Sequence, residues 1–163
     1  MAIDLSIRLA APADVPKLLA LYKLLDLETE PDLPIAVAQA RFRELALRPG
    51  HAIFVAESEG QVVGTFALIF IGGLSHGARD SCIVEDVCVA AEMQRSGIGQ
   101  QMMDFAMARC ADDGCYKLVL SSHLKRGDAH RFYERLGFRR HGHSFLIDGV
   151  APGGGPAGPR SGS

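Results

Sequence analysis

The sequence predicts a single α/β domain, on three observations. Apolar residues recur at every second position in some segments and at every third or fourth in others, and the two kinds of segment alternate along the chain. In HAIFVAESEGQVVGTFALIF two strand-like runs flank Glu59-Gly60, a tight-turn dipeptide, so an antiparallel hairpin is expected there. A further strand-like run, SCIVEDVCV, leads through QRSGIG into a long amphipathic segment, the order in which a sheet passes to a helix that covers it. With 163 residues, 48% of them hydrophobic, one sizeable core can be filled, and a second domain is not expected.

The elements follow in order. LSIRLA alternates as a strand, and Pro12 opens a helix with Val15, Leu18, Leu19, Tyr22 and Leu25 at helical spacing. DLETEPDLP is acidic and breaks the pattern; IAVAQARFRELALR is a second helix, closed by Pro49-Gly50. After the hairpin, the loop GGLSHGARD leads to SCIVEDVCV. The helix beyond it carries Ile98, Met102, Met103, Ala106, Met107 and Cys110 on one face and ends at Asp113-Gly114. YKLVLSS is nearly all apolar at its centre, as in a buried strand. DAHRFYERLGF is a short helix: Asp128 suits the N-cap, Ala129, Phe132, Tyr133 and Leu136 form the inner face, and Gly137 terminates it. FRRHGHSFLI closes the fold as a strand or strand pair. From Pro152 on, PGGGPAGPRSGS has nothing to bury, so the domain spans 1–150 and 151–163 is expected to be a disordered tail.

Composition excludes several function classes. A formal charge of −2 without any polybasic face argues against nucleic acid and anionic membrane and for a small-molecule partner. Cys82, Cys88, Cys110 and Cys115 have neither zinc-site spacing nor the density of a secreted scaffold, so they read as reduced core thiols. The N-terminal residues lack a signal-peptide pattern and TFALIFIGGL is too short to span a bilayer; a soluble, cytoplasmic protein is expected. His141 and His143 share a face of the last strand, while His76, His123 and His130 lie near turns. No acidic partner stands at ligand spacing, and no metal is expected.

The glycine turn carries the chemistry. A helix N-terminus offers unpaired N–H groups and a positive dipole end; Gly97 and Gly99 leave room for a phosphate, and Arg95 adds a cation. The same glycines could serve only to turn the chain. A dinucleotide fingerprint needs a third glycine where Met102 stands, and a P-loop needs a Gly-Lys-Ser/Thr that is absent.

QRSGIG, Gln94 to Gly99, resembles the Q/R-x-x-G-x-G/A signature of the GNAT superfamily of N-acetyltransferases. AHRFYERLGF, Ala129 to Phe138, resembles that superfamily's second signature, A-x-x-F/Y-Y-x-x-x-G-F, about 30 residues further on. VEDVCV with GCYKLVL is similar to glucosamine-6-phosphate N-acetyltransferases, and LSSHLKRGDAHRFYERLGF to aminoalkylphosphonate N-acetyltransferases. The resemblance implies a central twisted, mostly antiparallel sheet flanked by about four helices and splayed between strands 4 and 5. It also implies acetyl transfer from acetyl-CoA, as cosubstrate, to a primary amine of a small molecule. Protein N-termini or lysines remain the alternative acceptors, and a non-catalytic acyl-CoA-binding module the alternative of another class.

By the resemblance, Gln94, Arg95, Ser96, Gly97, Ile98, Gly99 and Gln100 hold the pyrophosphate. Within the strand segment Val87, Cys88 and Val89, the Val87 N–H matches the oxyanion donor and Val89 the residue pairing with the pantetheine arm. Tyr133 matches the general acid beside the sulfur, although spacing alone makes it a core residue. Glu85 is the first choice for general base and Asp86 the second; consecutive strand residues should face opposite ways. Either could instead be a solvated carboxylate. Arg126 replaces the family's usual asparagine, and with Lys125 could meet a CoA phosphate or an anionic acceptor. Glu28, Glu30 and Asp32 fall where the family places an acceptor-covering segment. A homodimer is compatible with the resemblance.

Overall fold

The structure is a computed structural model that describes residues 4–25, 32–124, 126–142 and 144. The chain forms two compact units, Met1–Leu120 and Ser121–Ser163. The proposed tail, the end of the last predicted strand segment, Glu28, Glu30, Lys125 and His143 lie outside the described residues.

The first unit is a five-stranded sheet in the order β1-β2-β3-β4-β5. Its strands are β1 (Ser6–Leu9), β2 (His51–Ser58), β3 (Gln61–Ile71), β4 (Ser81–Val89) and β5 (Lys117–Val119). The first four are antiparallel neighbours, whereas β5 runs parallel to β4. The predicted hairpin forms with Ser58 opposite Gln61, and Glu59 and Gly60 both take positive φ (50° and 72°), the turn whose twist suits antiparallel strands. β5 pairs with β4 only over Ser81–Ile83, so among the described residues β4 continues from Val84 to Val89 without a β5 partner. This is the expected parting of strands 4 and 5. Leu118 and Val119 are only half-buried, unlike the buried strand expected there, because β5 is short and lies at the edge of the described sheet.

Helices cover both faces. On one side lie α1 (Val15–Tyr22), entered through the turn Pro12–Asp14, and α2 (Ile35–Ala46). Val15, Leu18, Ala38 and Phe42 pack there with Val55 of β2. A single-turn element, α3 (Ser75–Ala78), precedes β4, and α4 (Ile98–Asp112) covers the other face. Its inner residues Ile98, Met102, Met103 and Ala106 are fully buried, and Phe105 meets Phe54 and Phe66 edge-on at 5.1 and 6.1 Å. Arg8 ties the entry strand down by ion pairs to Asp14 and Glu57, both at 2.8 Å.

One irregularity organises the sheet. Glu85 pairs with Ala67 and Cys88 with Thr65, so Asp86 and Val87 together stand opposite the single residue Phe66. This is a β-bulge, and Asp86 takes φ +53°, a conformation that asparagine and aspartate tolerate better than most side chains. The extra residue exchanges the faces of β4. Before it, the Cys82 thiol meets Cys110 of α4; after it, the Cys88 thiol donates to the Leu21 carbonyl of α1 at 3.1 Å. Both positions are even, yet they serve opposite cores.

The second unit contains α5 (Gly127–Arg135). Ala129, Phe132, Tyr133 and Leu136 are half-buried while Asp128, Arg131 and Glu134 are exposed, which matches the predicted inner face. Two calls shift. Arg126, not Asp128, occupies the N-cap, and Asp128 sits in the first turn paired with Arg131. No strand occurs among the described residues after α5, so His141 is not on the expected strand face.

Candidate active site

The bulge gathers polar groups that a regular strand would have separated. Glu85 precedes the frame change and is half-buried, whereas Asp86 is exposed at the bulge itself. Simple alternation does not apply across this pair, because Asp86 sits at the bulge with its backbone in the left-handed region. Partial burial raises the Glu85 carboxyl above its ordinary pKa, and the charge of Asp86 raises it further. A carboxylate so placed is a better base near neutral pH than a solvated one.

Tyr22 and His51, neither of which the sequence marks for the site, feel the charge of Asp86, and Thr65 joins Tyr22. Tyr22, at the end of α1, has its hydroxyl pushed up to about 12 by burial and by the Asp86 charge, and it interacts with the Thr65 side chain. Thr65 is fully buried and donates to the Phe54 carbonyl at 2.9 Å. His51, at the start of β2, is held below the usual histidine range by burial and by Arg48, against the opposing pull of Asp86. Tyr22 was visible in the sequence only as one more residue of an amphipathic face. Nothing in local spacing links it to β3 or β4.

Asp86 and Val87 share Phe66 as their opposite residue on β3, and among the described residues the β5 ladder stops at Ile83. The backbone of β4 from Val87 to Val89 thus borders the gap where a third chain segment can pair. Cys88 offers only its backbone to that gap, since its thiol is buried against α1.

The glycine turn follows directly. The turn Ala91–Met93 leads through Gln94, whose side chain donates back to the Val89 carbonyl at 3.2 Å. The Ser96 hydroxyl donates to the Met93 carbonyl. Arg95 and Gly97 both have positive φ, 63° and 89°, and Gly97 is the N-cap of α4 with no side chain capping it. A side chain at Gly97 would meet nothing within 4 Å, so the approach to the first-turn N–H groups of Ile98, Gly99 and Gln100 is open. The Gln100 side chain is turned down the helix to Asp104 at 2.9 Å, leaving its backbone as the group available at the turn. Open amides, a helix N-terminus and the Arg95 guanidinium are a donor set that fits a pyrophosphate.

In the second unit, Tyr133 belongs to the terminator of α5. The Phe138 N–H bonds the Tyr133 carbonyl at 3.0 Å, the Gly137 N–H bonds the Glu134 carbonyl at 3.1 Å, and Gly137 has φ +92°. This is the Schellman arrangement, in which the residue three from the helix end meets the residue after the glycine. The meeting pair is Tyr133 with Phe138, their rings edge-to-face at 5.8 Å, and Phe132 flanks the tyrosine at 5.2 Å. The Y-x-x-x-G-F spacing is the spacing of that terminator. Arg126 bonds the His123 carbonyl through its N–H at 2.9 Å and is half-buried at the helix start.

Asp32 is paired with Lys23 at 2.7 Å. His76 stacks on Tyr116 at 4.0 Å, and no group of three potential metal-binding side chains occurs among the described residues. A cleft of about 260 Å³, lined by Leu9, Phe42, His51, Phe70 and Arg109 among others, shares only His51 with the groups around Asp86. No described helix is long and apolar enough to cross a membrane.

Comparison with known proteins bears on this geometry. Residues 18–138 match the acetyltransferase (GNAT) family. The chain is 28% identical over 148 residues to the glucosamine 6-phosphate N-acetyltransferase of Trypanosoma brucei brucei, covering 90% of this chain and 97% of that one. It is 32% identical over 94 residues to the aminoalkylphosphonate N-acetyltransferase of Salmonella typhimurium, 58% of this chain and 60% of the other. A solved structure from Agrobacterium tumefaciens str. C58 superposes with a TM-score of 0.83 at 32% identity, over 88% of this chain and 99% of that one. With a bulged fourth strand running into an open glycine turn, and with both signatures in order, the chain belongs to the GNAT family and is an acetyl-CoA-dependent N-acetyltransferase.

Proposed function

We propose that this enzyme transfers the acetyl group of acetyl-CoA to the primary amine of a small molecule, by direct attack in a ternary complex. The observation that carries the reading is the β4 bulge, which puts a half-buried carboxyl of raised pKa beside a stretch of strand backbone that has no β5 partner among the described residues. When bound, acetyl-CoA supplies the activated acyl group as a thioester. Gln94 to Gln100 hold its pyrophosphate, with Arg95 as the cation and the first-turn N–H groups of α4 as donors. Val89 pairs with the pantetheine arm, and the Val87 N–H faces the charge that develops on the acyl oxygen.

Glu85 takes the proton from the incoming amine, directly or through one water, and Asp86 raises its basicity. Tyr133 is assigned the leaving thiolate on the strength of its motif, and donates the proton that the sulfur needs. Arg126 is assigned an anionic group, of CoA or of the acceptor. The two curated relatives are named for acceptors that combine an amine with a phosphate or phosphonate, so amines of that chemistry are the first to try.

The test is thiol release from acetyl-CoA by the purified protein over a panel of glucosamine 6-phosphate, aminoalkylphosphonates, polyamines, amino sugars and peptides. Turnover with a small amine, and its loss in Glu85→Gln, is expected. Turnover with peptides alone, or acetyl-CoA binding without turnover on any amine, would overturn the proposal.

A further inference from the structure

The far end of α4 repeats the terminator of α5 with sulfur in place of aromatic rings. The Cys115 N–H bonds the Cys110 carbonyl at 3.0 Å, the Gly114 N–H bonds the Ala111 carbonyl at 3.0 Å, and Gly114 has φ +70°. Cys110 and Cys115 thus hold the two positions whose side chains this motif brings together, positions that native helices usually fill with an apolar pair. Cys110 is 5% exposed, its thiol directed at the Lys117 carbonyl at 3.5 Å, and Cys115 is half-exposed. Burial and the two neighbouring thiols of Cys115 and Cys82 push Cys110 up to about 12, which marks the three sulfurs as mutually close. Four cysteines are free in the structure, and of these Cys82 and Cys88 are both buried. Cys115 alone combines solvent access with an adjacent thiol.

We propose that Cys110 and Cys115 form a reversible dithiol modification site, which hydrogen peroxide converts to a disulfide. The Cys115 sulfur attacks the peroxide, whose O–O bond breaks to give the sulfenic acid and one water. The Cys110 sulfur then attacks the Cys115 sulfur, the S–O bond breaks, and the hydroxyl leaves with the Cys110 proton as a second water. Two thiols and one peroxide become one disulfide and two waters. A small thiol reverses the step by exchange. Because Cys110 is buried, the half-exposed Cys115 is the point of entry in both directions.

Trypsin reads the outcome, since cleavage after Arg109 and Lys117 releases both residues on one peptide, Cys110–Lys117. The full-length protein is treated with hydrogen peroxide at low excess, quenched by alkylation in denaturant, digested and weighed. The expected product is that peptide two hydrogens lighter, unalkylated and restored by dithiothreitol, while Cys82 and Cys88 are recovered alkylated. In Cys115→Ser the light peptide is absent and Cys110 is recovered as an alkylated thiol; in Cys82→Ala it still forms. The proposal is overturned if Cys115 stops at a sulfinic acid with Cys110 still free, if Cys110 is instead joined to the Cys82 peptide, or if the two thiols survive peroxide untouched.

Discussion

Gly64→Ala should strain the joint between β3 and α4, by an amount that the contacts around it set. A Cβ at Gly64 would lie 2.8 Å from the Met102 sulfur, 3.1 Å from the Cys88 carbonyl oxygen and 3.5 Å from the Ala56 Cβ. The carbonyl belongs to the ladder beside the bulge and cannot retreat. Met102 is fully buried, so its sulfur must be driven into packed surroundings. Overpacking of this kind costs about 1–3 kcal/mol. Removing glycine's unfolded-state freedom from a strand returns about 0.5–1 kcal/mol. A net loss of about 1 kcal/mol follows, within reach of urea unfolding at constant m-value. Since Met102 lies one turn inside the helix whose first turn is the proposed pyrophosphate cradle, KM for acetyl-CoA should rise with it. The decisive comparison is a double-mutant cycle: in a Met102→Ala background the sulfur contact is gone and only the Cys88 carbonyl still presses on the added methyl, so the same substitution should cost clearly less. Equal destabilisation in both backgrounds would refute the sulfur contact as the cause.

Further predictions test the site itself. Glu85→Gln should lower kcat by about 10²–10⁴-fold and abolish the acidic limb of the pH–rate profile; Asp86→Asn should keep activity while moving that limb to lower pH, because it removes the charge that raises Glu85. The folded Glu85 pKa lies above the unfolded one, so its ionisation costs stability once the pH passes the unfolded value and costs it fully above the folded value. Glu85→Gln should therefore gain stability over the parent at pH 8 and not at pH 3, by denaturant melts at the two values. Tyr133→Phe keeps the ring contacts with Phe132 and Phe138, so stability should change by less than about 1 kcal/mol while kcat falls; undiminished turnover would remove Tyr133 from the reaction. Gly97→Ala meets no atom within 4 Å, so its whole cost is the left-handed backbone, about 1–2 kcal/mol, and KM for acetyl-CoA should rise while kcat at saturation is retained.

Local chemistry made much of this chain legible. The Glu59-Gly60 turn, the α4 face from Ile98 to Cys110 and the strand–turn–helix at Gly97 are each decided by residues within a few positions of one another, and each formed as expected. The N-cap lies two positions before Asp128, because an acidic first-turn residue and an N-cap look alike in sequence. The bulge was not legible: SCIVEDVCV reads as one strand-like run, and only the register against Phe66 shows that one residue is surplus. That surplus decides which side Glu85, Asp86 and Cys88 serve. Tyr22 and His51 were missed for a like reason, since they come within the field of Asp86 from α1 and β2, and Thr65 meets Tyr22 from β3, through tertiary contacts that no short window contains.

The terminator of α5 gives Tyr133 a property that a loop tyrosine would lack. Its backbone carbonyl is clamped by the Phe138 N–H and its ring by the Phe138 ring, both supplied by the chain's own reversal at Gly137. The side chain is thus oriented before any ligand arrives, and little rotamer entropy is left to be lost when one does. A phenol stationed in this way can act as a fixed stop against which a flexible thiol chain comes to rest, and Gly137 is the hinge pin that keeps the stop in place.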